Sequence, residues 1–434
     1  MVATVHQLFP AAEQVGAFLR VGHTGHRRLE HLQASGRLPF RRIVFDAAHI
    51  SEQRDLVTRL RSQGYEIVLD PNFAETAMAG RFETSVAKLP WANGERPWKP
   101  DDFGRARNLD TAKTIAEFAV AHGVNVVLAP SNLFELGDTS WHEIDLRICE
   151  DLRHELNQLG GSSIAIDFQL ITTTAVLKDA RARSDLIDGI GSLPIDNIWV
   201  RASGFGATAT GAGTRHFVEA VRAIHNLGRP LVADGVGGFA GLATLAFGAV
   251  GGISHGVAQK ERFDAGQWKR PSRNSKGGGG TTVRVYVPDL DRYFNEEQLE
   301  KIFAARRGRS IFGCNDTSCC HNGKEDMIEN AHAHFITQRS RQIEDISNVP
   351  VPRRAERFLL KHLDPAIRSA RLGARLKIAD SKVQSFVSDS KARLIRLRDA
   401  LSDLHTADKD VSHSRAPAFR GHQGSPNSAA ERRS

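Results

Sequence analysis

An α/β fold, a closed parallel (β/α)8 (TIM) barrel followed by a small cysteine-bearing subdomain and a C-terminal helical extension, is the class this sequence predicts. Three observations predict it. Short apolar runs alternate with amphipathic helical stretches from the beginning; each run ends on a polar residue; and eight such units fit into about 240 residues without a recognisable nucleotide-binding turn. An open doubly wound sheet rarely runs to eight regular units without such a turn.

The first run is Phe18–Val21, ending at Gly22 and His23; the second, Arg42–Phe45, ends on Asp46, and the third, Glu66–Leu69, on Asp70. An insertion from Pro71 to Asn108, with Pro90, Pro97, Pro100, Trp91 and Trp98, reads as a lid or a partner surface. Val124–Leu128 is strand four, ending near Ser131. Ser163–Ile166 is strand five, with Asp167 and Gln169 beyond it, and Ile195–Val200 is strand six, ending at Arg201 and Ser203. In Pro230–His255 an apolar strand ends on Asp234 and the glycines Gly235, Gly237 and Gly238, and an Ala/Leu helix then leads to strand eight, ending at Ser254 and His255. This organisation places the barrel over residues 1–265, a basic glycine-rich linker over 266–280, the subdomain over 281–346, amphipathic helices over 347–406 and a disordered basic tail over 407–434.

A hydrophobic content of 41% suffices for a large core, while no apolar run reaches the roughly 20 residues of a membrane span. The N-terminus lacks the pattern of a signal peptide, so a cytoplasmic protein with no membrane partner is expected. The net charge of +8 suits an anionic partner such as nucleic acid. Lys269, Arg270, Arg273 and Lys276 of the linker are placed to meet phosphates. Composition leaves the oligomeric state open.

In a barrel of this kind the C-terminal strand ends share one mouth. Asp46, Asp70, Asp167, Gln169, Arg201, Ser203, Asp234 and His255 are therefore expected to line one pocket, where crowded carboxylates would raise the pKa of at least one. An aspartate after a strand is also a common helix N-cap. The glycine turn at Gly235 and Gly237 could alternatively cradle a phosphate through its N–H groups. Cys314, Cys319 and Cys320 fall within seven residues. Thiolates are soft ligands, and a histidine from His321, His332 or His334 would complete a structural Cys3His zinc site. Cys149, among Ile148 and Leu152, reads as core.

The order of these parts resembles the tRNA-guanine transglycosylase family. FLRVGHTG looks like its first strand and turn, IVLDPNFAE like the strand carrying its general-base aspartate, and IAIDFQ like the strand carrying its base-recognition glutamine. ADGVGGFAGLATLAFGAVGGI is similar to its GVG turn, helix and following strand. The resemblance spans Phe18 to Ile346 and implies exchange of a purine or 7-deazapurine base in tRNA or DNA. Asp70 would move protons, Gln169 would read the base with Asp167 in support, and a zinc site would follow strand eight. Where the family has its nucleophilic aspartate this chain has Ser254 and His255, which leaves Asp234 or a displaced Asp264 for that role. Ala129-Pro130-Ser131 replaces a second base-binding aspartate, and the cysteines are spaced C-x4-C-C. Two other readings fit the same residues: a barrel enzyme acting on a small phosphorylated substrate, and a non-catalytic nucleic-acid-binding subunit.

Overall fold

The computed structural model describes residues 15–23, 25–82, 85–257, 261–270, 283–410 and 419, the last two of the long helix as backbone only. Eight parallel strands close into a barrel in sequence order: β1 (Gly16–Arg20), β2 (Arg42–Asp46), β3 (Glu66–Asp70), β4 (Val126–Leu128), β5 (Ala165–Thr173), β6 (Ile198–Ser203), β7 (Leu231–Asp234) and β8 (Gly252–Gly256), which pairs back onto β1. The (β/α)8 class is thus the observed fold. Behind it, β9 (Arg284–Val287) and β10 (Arg292–Asn295) form an antiparallel pair. The extension consists of helices Val351–Phe358 and Asp364–Gly373, joined by one π-helical stretch, and the helix Ser381–Asp410. Among the described residues no helix is long and apolar enough to cross a membrane.

Side-chain alternation along a strand has period two, and it divides the strand residues between two cores. Phe18, Val44, Val68, Val126, Leu128, Ala165, Trp199 and Val232 fill the barrel interior. Their neighbours Leu19, Ile43, Phe45, Ile67, Leu69, Ile166, Ile198, Val200 and Ile253 point outward into the helix layer. This parity decides which strand-end residues can meet: Arg20, Asp46, Asp70, Asp167, Gln169, Arg201, Asp234 and Ser254 share the inward face, and His255 does not.

The predicted disordered tail, 407–434, is corrected at two places among the described residues: its first four residues complete the helix Ser381–Asp410, and Phe419 is packed. Phe419 lies in the interior core, with its ring edge-on to Phe18 at 5.4 Å and the Arg42 guanidinium 4.7 Å from its centroid. A β-carbon at Gly16 would come within 3.0 Å of that ring, so the glycine makes room for it. Gly16 begins β1, so this aromatic ring closes the floor of the barrel, opposite the mouth. Phe419→Ala is expected to lower stability by about 3 kcal/mol, read as a lower urea midpoint at unchanged slope. An unchanged midpoint would mean that the ring does not seal the floor.

The predicted insertion is a packed structure. Trp91 and Trp98 are buried, their indole N–H groups donating to the Pro71 and Trp91 carbonyls at 3.1 and 3.0 Å. The predicted linker is helical over Ala265–Lys269, while Arg273 and Lys276 lie outside the described residues. That helix is tied to the insertion by the Gly80 N–H, which donates to the Trp268 carbonyl at 2.7 Å.

Candidate active site

At the mouth, two arginines and three aspartates converge from five strands. Arg20 grips Asp234 with Nε and a terminal nitrogen, both at 2.8 Å, and reaches Asp70 at 2.8 Å and Asp46 at 3.4 Å. Arg201 reaches Asp234 through Nε at 2.7 Å and Asp70 through a terminal nitrogen at 2.8 Å. Gln169 donates to Asp70 at 3.4 Å, and the Asn72 N–H donates to the other Asp70 oxygen at 3.0 Å. The register places Asp46 beside Asp70 on neighbouring strands, so the cluster follows directly from strand pairing.

Two guanidinium charges face three carboxylates, so the cluster is one positive charge short, and Asp46 has the longest of the arginine contacts. Burial alone would raise all three aspartates, but the two arginines outweigh it for Asp70 and Asp234 and hold both below the usual carboxylate range. For Asp46, burial prevails over the single long contact with Arg20, the Asp70 charge adds to it, and its pKa is raised. Neighbouring carboxylates pushed in opposite directions are the arrangement from which acid and base roles are built. Asp46 is also the least buried of the three, its side chain 23% exposed against 3% for Asp70 and none for Asp234, and it lines a cavity of about 780 Å³ between the loops after β1 and β2 and the insertion. Asp70 and Asp234 are covered, and Phe263 lies with its ring 5.9 Å from the Arg201 guanidinium.

Several expected site residues lie elsewhere or are already engaged. His255 points outward between Phe40 and Phe335, with ring centroids 5.6 and 5.7 Å away, and burial depresses its pKa to about 4. It cannot reach the mouth; Ser254 is the inward residue of β8. Asp167 sits one layer below Gln169, held by Trp199 Nε1 at 2.8 Å and by Asn197. Ser203 Oγ accepts the Ala265 N–H at 3.0 Å and so anchors the covering segment. Asp264 caps the short helix through the Gly266 N–H at 3.0 Å. Arg20 was missing from the sequence reading, although its position two residues beyond the inward Phe18 marks it as facing the mouth.

The glycine turn does not offer its N–H groups to a phosphate. Gly235 and Val236 donate to the Ser254 carbonyl, Gly237 to the Glu261 carbonyl, Gly238 to the Glu261 carboxylate at 3.1 Å, and Phe239 to the Asp291 carboxylate at 3.0 Å. The protein's own carboxylates fill this anion site. A β-carbon at Gly237 would meet Glu261 Oε1 at 2.0 Å, which is why glycine is needed there. Fully buried Arg339 balances Glu261 at 3.0 Å, and Asp291 also pairs with Arg393 at 3.1 Å, so the turn is locked to the subdomain.

Cys314, Cys319, Cys320 and His334 form a second centre, with one ligand atom from each within 4.8 Å of the others. Cys319 and Cys320 Sγ are 3.8 Å apart, and each lies 3.4 Å from His334 Nδ1. Tetrahedral coordination with metal–sulfur bonds of about 2.3 Å separates sulfurs by about 3.8 Å, so the donor set fits a metal ion and adjacent cysteines can both serve. His334 Nε2 lies 3.0 Å from the Tyr286 carbonyl, and donation there leaves Nδ1 free to ligate. His332 is excluded: it turns away to Arg28, 3.0 Å from its Nε2.

No family model and no curated protein matches the sequence. Among solved structures the chain is similar to the GH26 domain of an endo-β-mannanase/endo-β-glucanase from Prevotella bryantii (TM-score 0.39, 11% identity, covering 60% of this chain and 88% of that one). It is also similar to an endo-1,4-β-xylanase from Penicillium canescens (TM-score 0.35, 9% identity, 55% and 81% covered) and to 3-dehydroquinate dehydratase from Enterococcus faecalis (TM-score 0.32, 12% identity, 57% and 90% covered). Similarity this low carries no argument about activity. The structure itself is a (β/α)8 barrel with a buried arginine–aspartate cluster at its mouth and a Cys3His cluster that could hold a metal ion.

Proposed function

We propose that this chain is a base-exchange transglycosylase that replaces a purine or 7-deazapurine base in tRNA or DNA through a carboxylate nucleophile, with zinc in the Cys3His cluster as a structural ion. The observation that supports it is the pairing of an ionised, arginine-held Asp70 with Asp46, whose raised pKa and position on the cavity wall suit proton transfer. The roles differ from the sequence expectation, which made Asp70 the base and Asp234 or Asp264 the nucleophile. Asp234 has both oxygens bound by arginines and Asp264 caps a helix, whereas Asp70 keeps one oxygen clear of the arginines, held only by the Asn72 N–H. A carboxylate held at low pKa is a poor base but a good leaving group in the second half of an exchange.

In this reading Asp70 attacks C1′ as the bond from C1′ to the base nitrogen breaks, and protonated Asp46 gives its proton to the departing base. The entering base then attacks C1′, Asp46 takes the proton from its nitrogen, and Asp70 is expelled. Arg20 and Arg201 hold Asp70 in place throughout. Access requires Phe263 to be displaced from over Arg201. Arg270, exposed on the covering segment, is available to nucleic-acid phosphates, whereas Lys269 is paired with Glu135.

The test is incorporation of labelled guanine and 7-deazaguanine bases into tRNA and into duplex DNA. Incorporation into one polymer is expected, abolished in Asp70→Asn and slowed about 10²- to 10⁴-fold in Asp46→Asn. No incorporation into either polymer by folded, metal-loaded protein would overturn the reading.

A further inference from the structure

We infer that His23, His49 and Glu52 form a second, open metal site for a divalent transition ion in the wall of the mouth cavity. One ligand atom from each of the three lies within 4.8 Å of the others, and all three residues line the 780 Å³ cavity that Asp46 also lines. The imidazoles of His23 and His49 stack with centroids 4.4 Å apart and their planes inclined by 29°.

The local structure holds these donors together. His49 and Glu52 are three residues apart in one tight turn, closed by the Glu52 N–H donating to the His49 carbonyl at 3.1 Å. The next residue, buried Gln53, straps the His23 loop to that turn: its side-chain amide donates to the Gly22 carbonyl at 2.9 Å and lies 3.4 Å from that of His23. At the turn's start the Ala48 N–H donates to the Asn72 side chain at 3.2 Å, beside Asp70. Two loops that are distant in sequence are thus fixed with their donor side chains at one point.

The donor set differs in kind from the cysteine centre. Three buried or half-buried thiols with a histidine close a structural tetrahedron, whereas two imidazoles and one carboxylate are the composition of sites that keep positions for exchangeable ligands. His23 and Glu52 are exposed, so those positions face the cavity. Lys88 is on the same wall and gives the cavity a cationic point suited to an anionic oxygen ligand such as a phosphate, while Arg81 beside it is paired with Glu75 at 2.6 Å. An ion here would hold such an oxygen at the entrance to Asp46. This inference goes beyond base exchange, and its test needs no turnover.

The experiment is titration of the metal-free full chain with Co2+, following absorption and metal content. Two ions per chain are expected: one with the intense sulfur-to-metal charge-transfer band of the cysteine centre, the other with weak, thiolate-free d–d bands. Replacing both histidines (His23→Ala with His49→Ala) should remove the second ion alone, and the milder Glu52→Gln should weaken it at least about tenfold. Inorganic phosphate should shift the thiolate-free bands and leave the charge-transfer band unchanged. A single ion in the unaltered protein, equal binding by the variants, or thiolate-free bands indifferent to phosphate would each overturn the open site.

Discussion

Replacing Cys319 with serine is expected to abolish the metal binding proposed for the Cys3His cluster and to unfold the segment from β9 through helix Ala331–Ser347. The cluster joins the loop carrying Cys314, Cys319 and Cys320 to His334 on that helix, and the same imidazole meets the Tyr286 carbonyl of β9. The Cys319 carbonyl also accepts from Arg37 at 3.2 Å, which ties the loop to the barrel. Structural zinc sites supply roughly 10–16 kcal/mol of apparent binding free energy at neutral pH, and a small segment with few strands depends on it. Serine keeps the size but supplies a hard, protonated hydroxyl in place of a thiolate. Metal content should fall by one ion per chain, and near-ultraviolet circular dichroism should lose the signals of Tyr286 and Tyr293, which pack here at 5.2 Å. Strong chelation should do the same to the unaltered protein. Retention of the metal, or its loss without a change in folding, would show that the cluster is not structural.

Arg201→Met is expected to cost about 3–5 kcal/mol, because it leaves Asp70 and Asp234 with half their compensating charge in a buried site. Arg201 is only slightly exposed and touches both carboxylates. Aspartates held below their ordinary pKa contribute stability that is fully present above the unfolded value of about 3.9 and is lost as the pH falls through the folded value. Removing the guanidinium raises the folded values, so the variant should begin to unfold at a higher pH on acidification. A variant that also carries Asp234→Asn should recover part of the loss, since one of the stranded charges is gone; that recovery, measured as a coupling energy by urea unfolding, separates charge imbalance from lost packing. No loss in the single variant would mean that the cluster is solvated and not the tight arrangement described here.

What could be read early was what is local. Seven of the eight strands appear within a few residues of their predicted places, because apolar runs flanked by helical periodicity report burial without reference to distant partners; β5 runs seven residues past its predicted end at Ile166, to Thr173, so that Asp167 and Gln169 lie within the strand. The cysteine spacing pointed to a metal-type cluster for the same reason, although only the fold could choose His334 over His332. Strand-end aspartates were legible as candidates. Their division into acid, ionised partner and anchor was not, because it depends on which arginine each one meets across the barrel.

The sequence by itself determined the alternation that closes the barrel and the residue types that gather at its mouth. Only the tertiary structure decided the facing of Ser254 and His255, since strand side chains alternate every residue and a shift of one exchanges inside for outside. It also decided that Glu261 and Asp291 fill the glycine turn, that Arg20 joins the cluster, and that Phe419 closes the floor. Each of these contacts spans from about twenty to several hundred residues of chain, and electrostatic and packing energies depend on distance in space, which no local pattern encodes.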